Sequence, residues 1–224
     1  MFVIVEYIIS KILKRNFVFD KSVPYNYIFF LCLNKFYSLI RGFIYLRKPV
    51  FIGRNVSILC KSKFISGTSI QIHDNVVIDC LSKNGFYIGD FSKILSNSIL
   101  RVSGTISDLG DRIVIGSNVS IGEFSHVGGA GGFIIGDNTI IGSYFSVHPE
   151  NHNFPCSDKL IRNLGVTRKG IRVGTNCWIG AKVTLLDGCS IGNNCVVAAG
   201  AVVNGCFTSN QLIGGVPAKV IKQI

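Results

Sequence analysis

Acidic residues are scarce in this chain of 224 residues: 12 Asp and Glu stand against 23 Lys and Arg, a formal charge of +11. Proline numbers only 5, and charged residues of either sign make up 16%. With 48% hydrophobic residues and 25 glycines, such a composition argues against both a disordered and a collagen-like chain. The eight cysteines include no CxxC pair, which argues against a zinc knuckle and favours a reduced, cytoplasmic thiol population. The cationic balance raises nucleic acid, a membrane surface or an anionic substrate as partners. No nucleic-acid motif accompanies it, so nucleic acid is set aside. Glu6 interrupts the apolar N-terminus, with no basic region before it and no small-residue cleavage site after it, a poor signal peptide. The apolar stretch Asn26 to Leu46 is broken by Asn34, Lys35 and Arg41, short of the length that spans a bilayer. One domain with an appendage suits this length.

What is present is a beat of six. Val173, Ile179, Leu185, Ile191, Val197 and Val203 recur every sixth residue, a period that fits neither a helix at 3.6 nor a half-buried strand at 2. Hexapeptide repetition marks a parallel β-helix, each step forming one flat side of a triangular coil. The aliphatic residue points into the prism. Two positions earlier stand Ile171, Cys177, Val183, Cys189, Cys195 and Ala201, mostly small, so three cysteines serve as small hydrophobes. Gly174, Gly180, Gly192 and Asn204 are expected to turn the corners. The beat begins less regularly at Val50 and is irregular over Leu81–Asp111. It is clean at Ile115, Ile121 and Val127, then at Ile135, Ile141 and Val147. Gly128 to Gly132 supplies a phase shift between those runs.

The predicted fold is therefore all-β: a parallel β-helix solenoid with an N-terminal α-helical segment. Residues 1–48 read as helical, 49–205 as solenoid with a loop at 148–170, and 206–224 as a tail. Val3, Ile4, Tyr7, Ile8, Ile12 and Leu13 keep helical spacing, as do Phe29, Cys32, Phe36, Leu39, Ile40 and Phe43, with Pro24 between the two sets. The basic residues among them suit an interfacial helix on an anionic leaflet. Capping of the first coil explains the same pattern, since an open coil end exposes unpaired strand edges.

The beat stops from His148 to Lys169. A loop this long inside a regular solenoid is uncommon unless it has a task. It holds His148, Glu150, Asn151, His152, Phe154 and Cys156, then Arg162, Arg168 and Lys169. A histidine near its ordinary pKa is mostly neutral at pH 7 and can accept a hydroxyl proton as a bond forms. Glu150 is a candidate to orient such a ring. The three cations suit an anionic acceptor, or are solvated charge. Cys156 raises a covalent acyl route, but no feature lowers its thiol pKa. Trp178, the only tryptophan, adjoins inward-pointing Ile179 and so faces outward, a platform for a ligand. His73 and His126 read as surface or neighbour-subunit contacts.

Asn151-His152, then Gly165-Val166-Thr167-Arg168-Lys169-Gly170-Ile171, Trp178-Ile179-Gly180-Ala181 and Gly215-Val216-Pro217-Ala218-Lys219-Val220-Ile221 resemble the hexapeptide-repeat acyltransferases. The likeness is to the sugar O-acetyltransferases of bacterial surface-polysaccharide synthesis and covers Val50 to the C-terminus. It implies a left-handed parallel β-helix, an exception to the right-handed crossover rule, and a homotrimer binding acetyl-CoA between neighbouring subunits. It further implies acetyl transfer to a sugar or glycan hydroxyl with His152 as general base. His148, in a His-Pro pair like that of the galactoside enzymes, stands second. Asn151, His148, Trp178 and Arg168 are implied on the acceptor side. Gly180, Ala181, Ala199 and Lys219 are implied against the coenzyme, with backbone N–H groups near Gly180 as donors to the thioester oxygen; no metal is expected. The location implied is cytoplasmic, with peripheral membrane contact through residues 1–48 left open. Amino-sugar N-acetyltransferases and antibiotic acetyltransferases share this fold. So do zinc carbonic-anhydrase-like enzymes, for which His126, His148 and His152 are the candidate ligands. A non-catalytic scaffold is the third reading.

Overall fold

Short strands and tight corners dominate the computed structural model, which describes residues 5–7, 10–11, 16–154 and 158–224. The described strands stack into three walls of nine, seven and seven strands, parallel except for the last strand of the first wall, plus a separate two-stranded hairpin. One coil consists of Ser120–Ile121 on wall one, His126–Gly128 on wall two and Phe133–Ile135 on wall three. The next coil lies on it in register: Ile121 beside Ile141, Val127 beside Val147, Phe133 beside Ile171. All twelve residues of the two sixfold series between Ile171 and Val203 are at most 3% exposed. Burial pushes the Cys189 thiol up to about 12, and that of Cys80 likewise, so these thiols are core filler rather than nucleophiles.

The corners correct one expectation. Gly174, Gly180 and Gly192 do not carry the left-handed turn; Asn176, Lys182 and Asn194 do, at φ 54, 58 and 56. The glycines answer a different need. A Cβ on Gly180 would lie 2.6 Å from the backbone nitrogen of Ala199 in the next coil, so only a bare Cα lets the coils stack. Asparagine is tolerated at left-handed corners because its amide bonds locally. Here those amides form ladders along the axis, Asn176 to Asn194 at 2.9 Å and Asn194 to Asn210 at 3.0 Å.

Two compact units make up the chain, Met1–Tyr37 and Ser38–Ile224. In the first, Glu6 accepts a hydrogen bond from the Phe19 backbone at 2.8 Å; Val3, Ile4, Ile8, Ile12 and Leu13 lie outside the described residues. Helix α1, Tyr25–Leu46, starts immediately after Pro24, the place where proline favours a helix start. It runs unbroken through Asn34, Lys35 and Arg41 because polar side chains do not interrupt a helical backbone. By length and composition alone it is therefore long enough to cross a membrane. The division between units falls inside α1, not at residue 48, since its last turns are stitched to the first coil. Arg41 Nε donates to the Ile52 carbonyl at 2.7 Å, and Tyr45 Oη accepts from the Ile58 N–H at 3.3 Å.

At the other end, residues 206–224 are not a tail. Gln211–Gly215 and Ala218–Gln223 form an antiparallel hairpin on wall one, which covers an edge that a parallel stack leaves open. Leu81–Asp111 is also more regular than its sequence suggests: Phe86–Ile88, Lys93–Ile94 and Ile99–Arg101 are wall strands. The true departure there is the segment 102–112 between walls two and three.

Candidate functional site

The solenoid departs twice from its coil at the same corner. Segment 102–112 leaves after Ile99–Arg101, and the longer 148–170 leaves after Ser146–His148, both to return on wall three. The coil between them turns this corner on Gly128-Gly129-Ala130-Gly131-Gly132. A Cβ on Gly131 would lie 3.1 Å from the Gly170 nitrogen, and one on Gly128 3.0 Å from Pro149 Cδ. The glycine run is thus more than a phase shift: it keeps one corner low enough for the two excursions to meet over it.

They meet through Arg168. Its Nε donates to Glu150 Oε2 at 2.6 Å, and its Nη1 lies 2.8 Å from Asp108 Oδ2. Arg168, expected on the acceptor, and Glu150, expected beside the catalytic ring, are bonded to each other, and Arg168 also to Asp108. At the return, Asp187, only 9% exposed, accepts from the Lys169 N–H at 2.9 Å and the Gly170 N–H at 2.8 Å. Between these anchors the chain forms a hairpin, Asn151–His152 against Val166–Thr167. Asn153 fastens its tip, donating to the Leu164 carbonyl at 3.0 Å and accepting from Thr167 Oγ1 at 2.6 Å. Asp108, Asn153 and Asp187 were missed in the sequence. The irregularity of Leu81–Asp111 was the only signal for Asp108, and nothing local marks the other two.

His152 stands exposed on this braced hairpin. Among the described residues no hydrogen bond joins its ring to another group, so the exposed imidazole is not engaged by the rest of the chain. His148 is placed differently. It sits on wall two, its Nε2 2.7 Å from Ser146 Oγ, its ring stacked on His126 at 5.9 Å between centroids. Partial burial, then the neighbouring His148 and Arg101, hold the His126 pKa below its usual value. Among the described residues no group of three or more His, Cys, Asp or Glu is arranged to hold a metal ion; the histidine pair is not joined by His152. Cys156 lies outside the described residues.

The residues expected at the coenzyme lie on the opposite edge of wall two, whose three-residue strands span about 10 Å. A Cβ on Gly142 would lie 2.6 Å from the Ala181 nitrogen, and Gly180 stacks on Ala199 in the same way. The result is one column of small groups with Ala181 and Ala199 exposed. Lys219 faces Gly214, which packs against Ala198, so the terminal hairpin brings a cation to the same corner. Of the backbone N–H groups expected near the thioester, that of Gly180 itself donates to the Val197 carbonyl at 2.8 Å, as the ladder between coils requires. Trp178 is 60% exposed, as its place beside Ile179 requires. It lines a groove of about 420 Å³ with Asn176, Asn194 and Val196, on the side of the strand away from Ala181. Beside the column, Phe124 and Tyr144 occupy left-handed corners at φ 56 and 61, and their rings stack at 5.2 Å.

Known proteins share these features. Residues 170–205 match the family model for the bacterial transferase hexapeptide (six repeats). A protein of Escherichia coli strain K12 named as a lipopolysaccharide biosynthesis O-acetyl transferase, WbbJ, is 34% identical over 120 residues, 50% of this chain and 60% of its own length. A Mycobacterium tuberculosis protein named as an acetyltransferase is 27% identical over 169 residues, 75% of this chain and 52% of its own. The chain thus spans about half the length of these curated relatives. Among solved structures, a variant of an N-acyltransferase from Bacillus cereus, in complex with dTDP and coenzyme A, superposes with a TM-score of 0.52 at 19% identity, covering 80% of this chain and 85% of that one. That likeness concerns the fold, a left-handed parallel β-helix. Residues 170–205 thus carry the hexapeptide transferase repeat, and the chain is similar in sequence and architecture to acyltransferases built on it.

Proposed function

We propose that the protein is an acyltransferase that moves an acetyl group from acetyl-CoA to a sugar hydroxyl, on a surface polysaccharide or its precursor. The observation that carries this reading is His152, exposed and without a hydrogen bond to its ring among the described residues, on a hairpin anchored at both ends. A general base must be held in place while its acceptor nitrogen stays open to substrate. In the forward step His152 accepts the hydroxyl proton as the sugar oxygen bonds to the acetyl carbon. The C–S bond then breaks, and the imidazolium returns the proton to the departing thiolate. Glu150 serves as a brace on Arg168 rather than as the partner of the ring; Asn151 starts the hairpin. The exposed column at Ala181 and Ala199 leaves room for the pantetheine arm, and Lys219 offers charge to the coenzyme phosphates. Column and hairpin lie on different edges of wall two, which fits a homotrimer in which one subunit's hairpin serves its neighbour's column.

His148 as base is the second reading, favoured by its 2.7 Å contact with Ser146, which could fix its tautomer. Sugar-amine acceptors remain the chief alternative to hydroxyls. The test is release of coenzyme A thiol from acetyl-CoA with sugar, amino-sugar and nucleotide-sugar acceptors, with the product identified by mass spectrometry. An O-acetyl ester, labile to mild base, is expected; a base-stable amide product, or turnover with no acceptor able to take the group, contradicts the reading.

A further inference from the structure

Helix α1 turns its apolar side the wrong way for a helix that only caps a solenoid. At 100° per residue, Phe29, Phe36, Tyr37, Ile40, Phe43 and Ile44 fall within one arc of about 120°. Each is exposed, from 37% at Ile40 to 78% at Ile44. The opposite face carries Ile28, Ser38 and Gly42, which are buried, and in the first turns also Tyr27 and Leu31, which are exposed. A capping helix buries its apolar stripe; this one buries small groups in its last turns and shows aromatic rings to solvent. Charge accompanies the rings. No Asp or Glu stands between Asp20 and Asp74, an interval that holds eight Lys and Arg. Three of them, Arg47, Lys48 and Lys61, line a pocket of about 420 Å³ with Tyr45 and Phe64 at the end of α1. Lys61 is held there, its ammonium 3.2 Å above the Tyr45 ring and 3.4 Å from the Tyr45 carbonyl.

We infer that the aromatic face of α1, with Arg47, Lys48 and Lys61 at its end, is a docking element for the surface of an anionic lipid bilayer. Rings of this kind settle at the level of the headgroups, and cations beside them meet lipid phosphates. The helix lies in the interface and does not cross. Its last turns are bound to the first coil through Arg41 and Tyr45, which leaves the turns from Tyr25 to Tyr37. Thirteen residues at 1.5 Å each reach about 20 Å, against about 30 Å of hydrocarbon. Lys35 and Arg41, near the middle of the helix, oppose crossing as well. This inference goes beyond the acyl-transfer reading and stands or falls apart from it. It would bring the solenoid to lipid-linked or membrane-proximal acceptors.

The experiment is flotation of the full chain with vesicles of phosphatidylcholine alone and of phosphatidylcholine with phosphatidylglycerol at 7:3, at low and high salt. At least tenfold more protein is expected to float with the anionic vesicles, and a salt wash is expected to release it. The triple variant Arg47→Glu, Lys48→Glu, Lys61→Glu should lose that preference while keeping the circular dichroism of the parent. The variant Phe29→Ser, Phe36→Ser, Phe43→Ser should lose binding to both vesicles at unchanged molar mass by light scattering. Equal binding to the two vesicles, or no flotation, overturns the inference. Retention through an alkaline carbonate wash overturns it in favour of a crossing helix. A fall in molar mass of the aromatic variant, with lipid binding kept, overturns it in favour of a face covered by a second copy of the chain.

Discussion

The coils from Ile171 to Gly205 and the excursion from His148 to Gly170 belong to one chain yet rest on different physics. In the coils, stability is distributed: every sixth side chain is buried, Gly174, Gly180 and Gly192 each permit a close approach of the next coil, and the same contacts are repeated one coil on. In the excursion it is concentrated in a few polar anchors, Arg168 between Glu150 and Asp108, and Asp187 under two backbone N–H groups. The comparison teaches where change is tolerated. A damaged coil should lower stability with little effect on the chemistry of the folded fraction. A damaged anchor should do the reverse.

The largest stability effect is expected in the coils. Leu185→Ala empties a fully buried site and should cost about 2–5 kcal/mol, read as a fall in the denaturant midpoint. Coenzyme affinity of the folded protein should stay as it was. Arg168→Ala should cost less in stability, on the order of 1 kcal/mol, because its acidic partners are partly solvated. It should instead speed hydrogen exchange across 151–167 and lower turnover; a large midpoint shift with unchanged exchange would erase the distinction drawn above. Lys182→Asn, at a left-handed corner where other coils use Asn, should gain roughly 0.5–1 kcal/mol. The pH dependence is the smallest effect. The folded chain holds His126 below its usual value near 6.5, so the unfolded chain binds the proton more readily. Stability is then complete above about pH 6.5 and declines as pH falls below it. His126→Gln should flatten that slope in midpoints measured from pH 7.5 to 5.5.

The coils were legible because a sixfold period leaves a one-dimensional trace: Val173 through Val203 could be counted to the residue. The start of α1 after Pro24 was legible for a similar local reason. Corner chemistry was not, because both glycine and asparagine accept left-handed backbone, and only stacking shows that Gly180 answers a neighbour while Lys182 does the turning. The terminal hairpin was missed because its two strands, Gln211–Gly215 and Ala218–Gln223, carry no sixfold beat. In the excursion, residue type pointed to His152 and Arg168, yet the pairs that anchor the hairpin are 17 to 60 positions apart. Arg168 finds Asp108, and Asp187 finds Gly170. Long-range pairs of single charges leave no period to read.

The central claim is that the exposed imidazole of the braced hairpin does the proton transfer while the coils hold the coenzyme. The most direct measurement sets His152→Ala beside His148→Ala, with acetyl-CoA turnover and coenzyme binding by calorimetry on the same preparations. The account predicts that His152→Ala lowers kcat by about 10²–10⁴ with coenzyme affinity intact, and that His148→Ala retains most turnover. Turnover retained by His152→Ala and lost by His148→Ala would move the base from the hairpin to wall two and contradict the account.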